Sequence, residues 1–295
     1  MPGRFGAVVT AMATPFTQDG ALDVDGIRTL AAHLYDHGTE TIVAAGTTGE
    51  SPTLTHDEKR SLWEATVAVA RERRKKVVCG TGTYSTAESI ELTELAQETG
   101  ADGALVVTPY YNKPPQRALV EHFRTIAECT DLPIVAYNIP GRTGTRIEHA
   151  TLLAMAEVPN IVAVKDSTGD FDGIAKLLRE APDGFQVYSG DDWATFGYVC
   201  LGAAGVVSVA SHLVGERIGE MIRLVEAGDV ASARKIHQDL APLFAALFCT
   251  TSPIPLKAAL ELTGLPGGPL RAPLYAATDA ERETVRKALA DAGLL

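Results

Sequence analysis

Short apolar runs alternate with amphipathic stretches from the beginning of the chain to about residue 227. The apolar runs are rich in β-branched residues, which is typical of buried strands. They predict eight strands, at residues 7–13, 41–45, 77–80, 104–108, 134–137, 161–165, 186–188 and 205–209. Strands that are apolar on both faces, each followed by a helix, indicate a parallel sheet covered by helices.

The amphipathic stretches between these runs carry recognisable helix starts. Thr55, with Glu58 three residues later, predicts a capping box. Thr86 is placed to act as the N-cap of the next helix. We therefore expect helices to begin at both points.

Eight strand–helix units of about 25–30 residues close into a (β/α)8 barrel more naturally than they open into a doubly wound sheet. The doubly wound alternative predicts a glycine-rich dinucleotide fingerprint. After the third strand the chain reads Gly80-Thr81-Gly82 and lacks the third glycine. This argues against a dinucleotide site and favours the barrel.

From about residue 229 onward the pattern becomes purely helical, with segments at 230–248, 255–262 and 279–291. No linker rich in Pro, Gly or Ser separates these segments from the barrel. We therefore predict an α/β protein with a TIM barrel over residues 1–228 and a C-terminal helical extension over residues 229–295.

Composition and charge argue against several classes of protein. Of the 295 residues 46% are hydrophobic, yet no apolar stretch approaches the ~20 residues that cross a bilayer, and the first residues do not resemble a signal peptide. A net charge of −11 with scattered Lys and Arg argues against nucleic acid as a partner. Four widely spaced cysteines indicate neither a disulfide framework nor a zinc cluster. We expect a cytoplasmic protein with reduced thiols.

Lys165 follows the run Ile161-Val162-Ala163-Val164, so a strand with no polar residue before it delivers a lysine. Burial lowers the pKa of a lysine, and a neutral amine attacks a ketone to form a Schiff base. The alternative is a side chain at the strand end that extends outward to water. The other strand ends bear on this choice.

In a barrel of this kind the active site lies at the carboxyl ends of the strands. Thr47 and Thr48 follow the second strand, where their hydroxyls and nearby amides suit a small carboxylate or a proton relay; a plain turn is the alternative. Tyr111 follows the fourth strand and Tyr137 ends the fifth. A tyrosine in a partly dry cavity suits proton transfer, although most buried tyrosines serve only in packing.

Two further strand ends add to this pattern. Arg142, beyond the fifth strand, suits a bidentate carboxylate contact or is a surface charge. Gly190, after the seventh strand, leaves room for a ligand near the backbone. Asp191 and Asp192 follow it and argue against a phosphate ligand, or form a helix N-cap.

Amine, phenol, hydroxyl and guanidinium groups on one predicted rim favour carbon–carbon bond chemistry on a 2-oxo acid. Metal-dependent chemistry is the rival route. His33 and His37 are four residues apart on a predicted helix but have no third ligand nearby, so they indicate a solvated helix face. We expect neither a metal nor a cofactor.

Longer motifs carry a resemblance that extends over nearly the whole chain. They read GTTGESPTL, GTGTYSTAESI, VVTPYYNKPPQ, YNIPGRTG, VKDSTGD, SGDD, GAAGVVSV and SPIPLKAAL. Together they resemble the dihydrodipicolinate synthases, pyruvate-dependent class I aldolases whose superfamily includes N-acetylneuraminate lyase. The resemblance implies a lyase that condenses pyruvate with L-aspartate 4-semialdehyde through a lysine Schiff base, giving 4-hydroxy-tetrahydrodipicolinate for diaminopimelate and lysine biosynthesis.

The resemblance also implies catalytic roles at matching positions. Lys165 forms the imine with pyruvate, and Tyr137 is the proton donor and acceptor. Thr47 and Tyr111 complete a proton relay with Tyr137. In this family the tyrosine that matches Tyr111 reaches the site of a neighbouring subunit, which implies a dimer as the smallest complete unit and a homotetramer, a dimer of dimers, as the assembly.

Substrate contacts follow from the same resemblance. Thr48 and the backbone at Val207 hold pyruvate, and Arg142 binds the carboxylate of the aldehyde substrate. Gly190 is also assigned to substrate binding, on the ground of its position after the seventh strand and the room it leaves beside the backbone. Arg142 and the paired threonines favour the synthase over the sialic acid lyase, whose polyol substrate needs other contacts.

One departure from the family concerns feedback inhibition by lysine, which binds many relatives at the dimer interface. The chain keeps the matching residues Ser51, His56, Glu88 and Tyr110. Lys59 stands where lysine-sensitive members often have histidine, and Tyr84 stands where they have asparagine. A cation at Lys59 repels a cationic ligand, so we expect weak or absent inhibition.

Two alternatives to the synthase remain at this point. One is a sibling aldolase that keeps the imine but takes a sugar acid or an aromatic aldehyde. The other is a barrel without catalytic activity that binds a 2-oxo acid as a sensor. Substrate assays separate the first from the synthase, and trapping of an imine with borohydride separates the second.

Overall fold

A closed barrel of eight parallel strands forms the centre of the protein in a computed structural model that describes residues 3–295. Each strand pairs with the next along the chain, and the eighth pairs with the first. The strands are β1 (Val8–Ala11), β2 (Thr41–Ala44), β3 (Lys76–Gly80), β4 (Gly103–Val107), β5 (Ile134–Asn138), β6 (Ile161–Asp166), β7 (Gln186–Ser189) and β8 (Gly205–Ser208). The predicted α/β class, the TIM barrel and all eight strands are confirmed.

Helices surround the barrel and continue beyond it. They are α1 (Val24–Asp36), α2 (His56–Arg73), α3 (Thr86–Glu98), α4 (Gln116–Glu128), α5 (Pro140–Thr143), α6 (His149–Ala156), α7 (Phe171–Glu180), α8 (Thr195–Cys200), α9 (Ser211–Glu226), α10 (Val230–Ala246), α11 (Ile254–Leu262) and α12 (Asp279–Asp291), with 3-10 turns at Ser51–Thr53 and Asp192–Ala194. Within the described residues, no helix combines the length and apolar character that crossing a bilayer requires.

The helix starts agree with one of the two sequence predictions. Thr55 and Glu58 form the predicted capping box at the start of α2. The predicted N-cap at Thr86 is wrong, because α3 begins at Thr86 and the Ser85 side chain accepts the hydrogen bond from Glu88 N. Both residues have hydroxyl side chains, so the pattern alone did not distinguish neighbouring cap positions.

The first strand is shorter than predicted. It ends at Ala11, and the N–H of Ala13 donates to His212 Nε2 at 3.1 Å instead of joining the sheet. The sequence pattern stays apolar through this point, because the backbone that leaves the strand remains buried. A tertiary hydrogen bond therefore decides where the strand ends.

Side chains alternate along each strand between the barrel interior and the helical layer. The interior cluster contains Val9, Ala11, Val43, Val78, Leu105, Val135, Tyr137, Ala163, Tyr188 and Val207, and Phe5 packs against them. Because strand side chains repeat with period 2, the residue two positions after Ala163 faces the same interior. That residue is Lys165.

The C-terminal helices α10, α11 and α12 agree closely with the three predicted segments. Leu240, Phe244, Leu256, Leu260 and Leu289 belong to the same buried cluster as the residues between the barrel and α1, α2 and α9. The extension is therefore packed into the main hydrophobic core. The predicted division between residues 228 and 229 remains a prediction.

Candidate active site

The side chain of Lys165 lies inside the barrel near the carboxyl end of β6. Only 5% of the residue is exposed, and its Nζ atom lies 3.9 Å from the ring centroid of Tyr137. Within residues 3–295, no carboxylate oxygen lies within 4.0 Å of this nitrogen. The outward orientation considered from the sequence is wrong, and the amine is placed in a mostly dry interior.

Tyr137 reaches the same interior from the neighbouring strand. Residues Tyr137 and Lys165 are direct partners in the register of β5 and β6, so the two side chains leave the sheet side by side. Tyr137 also lines a cavity of about 380 Å³ at the carboxyl ends of β2 to β5. Lys165 is not among the residues that line this cavity. Tyr137 therefore borders the open space, and the amine of Lys165 lies against its ring.

Thr47 and Thr48 lie on the turn that follows β2. Thr47 lines the cavity, and Thr48 is buried just behind it. Two non-glycine residues with left-handed backbone conformations enclose the pair, Ala45 at φ +55° and Glu50 at φ +55°. Such conformations are uncommon, and around active sites they persist only where the surroundings impose them. The turn places one hydroxyl on the cavity wall.

Arg142 lies on the short helix α5 and also lines the cavity. Its Nη2 donates to the carbonyl of Ser252 at 3.3 Å, which connects it to the segment before α11. Among the described residues, no carboxylate lies within 4.0 Å of its guanidinium. The remaining donors are thus available to an anionic group in the cavity.

Gly190 has a close-packing role that the sequence did not reveal. A Cβ atom at this position would lie 2.0 Å from Ser167 Oγ and 3.2 Å from Lys165 Cε. The absent side chain therefore makes room chiefly for Ser167, and it also avoids a tight contact with the stem of Lys165. Val207 lies in β8 and packs in the barrel interior.

The two aspartates after Gly190 differ in their surroundings. The carboxylate of Asp192 is buried and accepts hydrogen bonds from the N–H groups of Val209 at 3.1 Å and Ala210 at 2.9 Å. It thus fixes the backbone after β8 rather than capping its own helix. Burial raises the pKa of Asp191, and the electrostatic influence of nearby Lys165 opposes that shift.

Tyr111 is the predicted catalytic residue whose side chain is mostly exposed to solvent within a single chain. It is 91% exposed, has φ +72° and does not line the cavity. Its neighbour Tyr110 lines the cavity and packs edge-on against Tyr84, with ring centroids 5.4 Å apart. Within one chain, Tyr111 therefore does not join Tyr137 and Thr47.

Asp166, directly after Lys165, is a supporting residue that sequence reasoning missed. Its buried carboxylate accepts hydrogen bonds from Asn138 Nδ2 at 3.0 Å, Tyr198 Oη at 3.0 Å and Thr168 N at 2.9 Å. These contacts fix the end of β6 from the outer side of the barrel. The aspartate followed two residues later by threonine is a local turn signal that was available in the sequence.

The histidines considered as metal ligands are arranged as a stacked pair. The rings of His33 and His37 have centroids 4.1 Å apart on α1. No group of three or more His, Cys, Asp or Glu side chains placed to hold a metal ion is found in the part of the chain that the structure describes.

Comparison with known proteins identifies the family to which this geometry belongs. The model of the Dihydrodipicolinate synthetase family matches residues 4–292. The chain belongs to the dihydrodipicolinate synthetase family. The 4-hydroxy-tetrahydrodipicolinate synthase of Moorella thermoacetica is 51% identical over 292 residues, which cover 99% of this chain and 100% of the relative. The enzyme of the same name from Acaryochloris marina is 50% identical over 292 residues, covering 99% of each chain.

Solved structures of the family superpose on the whole chain. The dihydrodipicolinate synthase of Cyanidioschyzon merolae, solved with lysine bound, is 44% identical with a TM-score of 0.98, covering 99% of this chain and 100% of the other. The enzyme from Thermotoga maritima is 39% identical with a TM-score of 0.95, covering 98% of this chain and 99% of the other. The predicted family, the synthase function and the lyase class are confirmed, while the roles of individual site residues remain predictions.

One part of the cavity wall, called the outer lobe, carries both a carboxylate and a basic side chain. Ser51, Lys59, Tyr84, Glu88 and Tyr110 line it. Lys59 is 4% exposed, and burial lowers its pKa while Glu88 opposes that shift. The lobe thus contains a fixed basic group beside its carboxylate.

Proposed function

We propose that this chain condenses pyruvate with L-aspartate 4-semialdehyde through an imine on Lys165. The observation that carries the proposal is the buried amine of Lys165 against the ring of Tyr137, in a family whose relatives are named 4-hydroxy-tetrahydrodipicolinate synthase. Because the amine lies in a mostly dry interior, it is protected from water that competes for the keto carbon.

The covalent steps follow from the chemistry of an imine. The Lys165 nitrogen attacks C2 of pyruvate, and loss of one water gives the protonated imine. That cation draws electrons from the methyl carbon, which loses a proton and becomes an enamine. The enamine carbon attacks the aldehyde carbon of the second substrate. The amino group of that substrate then attacks C2, closes the ring and releases Lys165 as a free amine.

Proton transfer in these steps is assigned to Tyr137, with Thr47 and Tyr111 as the relay. Tyr137 contacts the amine and also lines the cavity, which supports the assignment of its hydroxyl as the group that gives and takes protons during imine formation and ring closure. Thr47 lines the same cavity. Tyr111 completes the relay from a second subunit.

The substrate contacts are assigned to the remaining predicted residues. Thr48 and the backbone at Val207 hold pyruvate. Gly190 lies next to the side chain of Lys165 and is assigned to the same substrate site. Arg142 lines the cavity and binds the carboxylate of the aldehyde substrate. Apart from the hydrogen bond to Ser252, its guanidinium keeps N–H donors for this contact.

A homotetramer, built as a dimer of dimers, is the proposed assembly. Tyr111 supports it, since its largely exposed aromatic ring offers apolar surface that a partner subunit can cover. The cytoplasm is the proposed compartment. The four cysteines are free thiols, which suits a reducing environment.

The function is tested by incubating the protein with pyruvate and borohydride, followed by peptide mass analysis and turnover assays. The proposal expects a reduced pyruvate adduct on Lys165 and turnover with aspartate semialdehyde that exceeds turnover with sugar-acid and aromatic aldehydes. An adduct without turnover of aspartate semialdehyde would indicate a sibling aldolase. Absence of any adduct would indicate a sensor.

An Arg142→Ala variant is expected to weaken use of the aldehyde substrate by about 10- to 100-fold in kcat/KM, because a charged carboxylate contact is lost. The KM for pyruvate is expected to stay nearly unchanged. Steady-state kinetics with each substrate varied in turn measures both quantities. If the variant altered pyruvate affinity alone, the role assigned to Arg142 would be wrong.

Lysine is expected to inhibit the enzyme weakly or not at all, because the buried basic group of Lys59 in the outer lobe opposes a cationic ligand. Initial rates measured over a series of lysine concentrations check this. A Lys59→His variant removes the lysine side chain and is expected to be more sensitive. Inhibition of the unmodified enzyme at sub-millimolar lysine refutes the prediction.

A further inference from the structure

A buried cluster of charged side chains lies beside the barrel mouth and has no part in the reaction described above. Glu50 ends the turn after β2, and Lys257 lies on α11; both are buried, and Lys257 Nζ lies 2.7 Å from Glu50 Oε1. The second carboxylate oxygen accepts from Arg271 N at 2.9 Å, and Lys257 Nζ donates to the carbonyl of Pro269 at 2.7 Å. A buried ion pair costs desolvation free energy, so its presence is weak evidence for stability alone.

The backbone of Glu50 belongs to the turn that carries the two threonines. Its N–H donates to the carbonyl of Thr47 at 3.1 Å, and its φ is +55°. On the other side of the turn, Thr14 Oγ1 donates to the carbonyl of Gly49 at 2.7 Å. A left-handed glutamate needs an external restraint, and the ion pair with Lys257 supplies one through the side chain.

Arg271 extends the same restraint to the start of α2. Its guanidinium lies over the ring of Phe16, with the central carbon 4.2 Å from the ring centroid, and Nη1 donates to the Thr53 carbonyl at 2.8 Å and to Glu58 Oε2 at 2.9 Å. The Nε atom donates to the carbonyl of Gly20 at 3.1 Å. The segment from residue 50 to residue 58 is thus attached to the C-terminal extension at both ends.

We propose that Glu50, Lys257 and Arg271 are positioning residues that hold Thr47 and Thr48 in their reactive placement. None of the three lines the cavity, so they act through the backbone of the turn. The proposal rests on the proposed function, because it takes Thr47 as part of the proton relay and Thr48 as a pyruvate contact. It assigns the C-terminal extension a direct influence on the kinetics of the barrel.

The main test is a Glu50→Gln/Lys257→Met double variant of the full chain, which removes both buried charges while nearly preserving side-chain volume. We expect kcat to fall about 10- to 100-fold and KM for pyruvate to rise, because small displacements of positioning groups cost rates of this size. At saturating pyruvate, borohydride is still expected to trap the imine on Lys165. Wild-type kcat and KM in the double variant would overturn the proposal.

A matched control separates positioning from general loss of stability. Leu260→Ala weakens the same helix α11 through a wholly buried apolar side chain and removes no charged group. At a temperature where circular dichroism shows both proteins folded, Leu260→Ala is expected to keep kcat within about twofold of wild type. If the Glu50→Gln/Lys257→Met variant and the Leu260→Ala variant lost kcat equally, the cluster would contribute only to stability. That result would overturn the proposal.

Two further measurements keep the test decisive. If the double variant does not fold, Arg271→Lys keeps the positive charge but loses the forked contacts to Glu58 and Thr53, and a smaller change in the same direction is expected. An unchanged KM for pyruvate in this variant would then overturn the proposal. Failure of the wild-type enzyme to form the borohydride adduct instead counts against the proposed function.

Discussion

A Lys165→Ala variant is expected to lose on the order of 10³-fold or more in kcat/KM, because the side chain that forms the covalent intermediate is absent. The methyl group of alanine leaves the ring of Tyr137 without its 3.9 Å neighbour but removes no hydrogen bond of the barrel. The fold is therefore expected to persist. Turnover of pyruvate with aspartate semialdehyde and mass analysis after borohydride treatment measure the loss.

Lys59→Ala is the matched control for this variant. Lys59 and Lys165 are both almost completely buried, yet Lys59 lies on α2 and lines the cavity, whereas Lys165 lies at the end of β6 against the ring of Tyr137. The Lys59 variant is expected to acquire the pyruvate adduct, and the Lys165 variant is expected to acquire none. A pyruvate adduct of wild-type amount on the Lys165 variant would place the nucleophile elsewhere.

A Tyr137→Phe variant is expected to reduce kcat roughly 10²- to 10⁴-fold, the usual range for loss of a general acid–base group. The phenylalanine ring keeps the contact surface beside Lys165, so pyruvate is still expected to bind and to be trapped, more slowly than in wild type. Stopped-time borohydride trapping and steady-state kinetics measure the two effects separately. A kcat near that of wild type would remove Tyr137 from the proton transfers.

Tyr188→Phe controls for loss of a hydroxyl inside the barrel. Tyr188 is the other register partner of Lys165, but its hydroxyl accepts a hydrogen bond from Phe5 N at 3.2 Å, at the amino-terminal end of the barrel. Its removal is expected to change kcat by no more than about twofold. Comparable losses in both tyrosine variants would indicate a packing effect in place of proton transfer.

The barrel was predictable because its signals are local. Each strand is apolar on both faces, which only a covered parallel sheet explains, and period 2 places Ala163 and Lys165 on one face. Tyr137 and Thr47 follow from the rule that active sites lie at the carboxyl ends of barrel strands. Tyr137 and Thr47 both line the cavity, as that rule requires.

The rest depended on contacts between distant parts of the chain. Nothing near Asp192 in the sequence indicates that its carboxylate binds the backbone after β8, which lies 17 and 18 residues away. Likewise, Ser167 leaves no room for a side chain at position 190, and that contact depends on how β6 and β7 pack. Contacts between side chains that are distant in sequence leave no periodic pattern of apolar and polar residues. The sequence therefore indicates which residues are candidates but does not indicate their hydrogen-bond partners.

The hydrogen bond from Arg271 to Glu50 joins residues that are 221 positions apart. During translation at 5–20 residues per second, the arginine therefore leaves the ribosome roughly 10 to 45 seconds after the glutamate. The strands β3 to β8 are made during that interval, and once β8 has emerged the nascent barrel still lacks the contacts that restrain the turn after β2. Maturation of the enzyme thus ends only when the last part of the polypeptide docks.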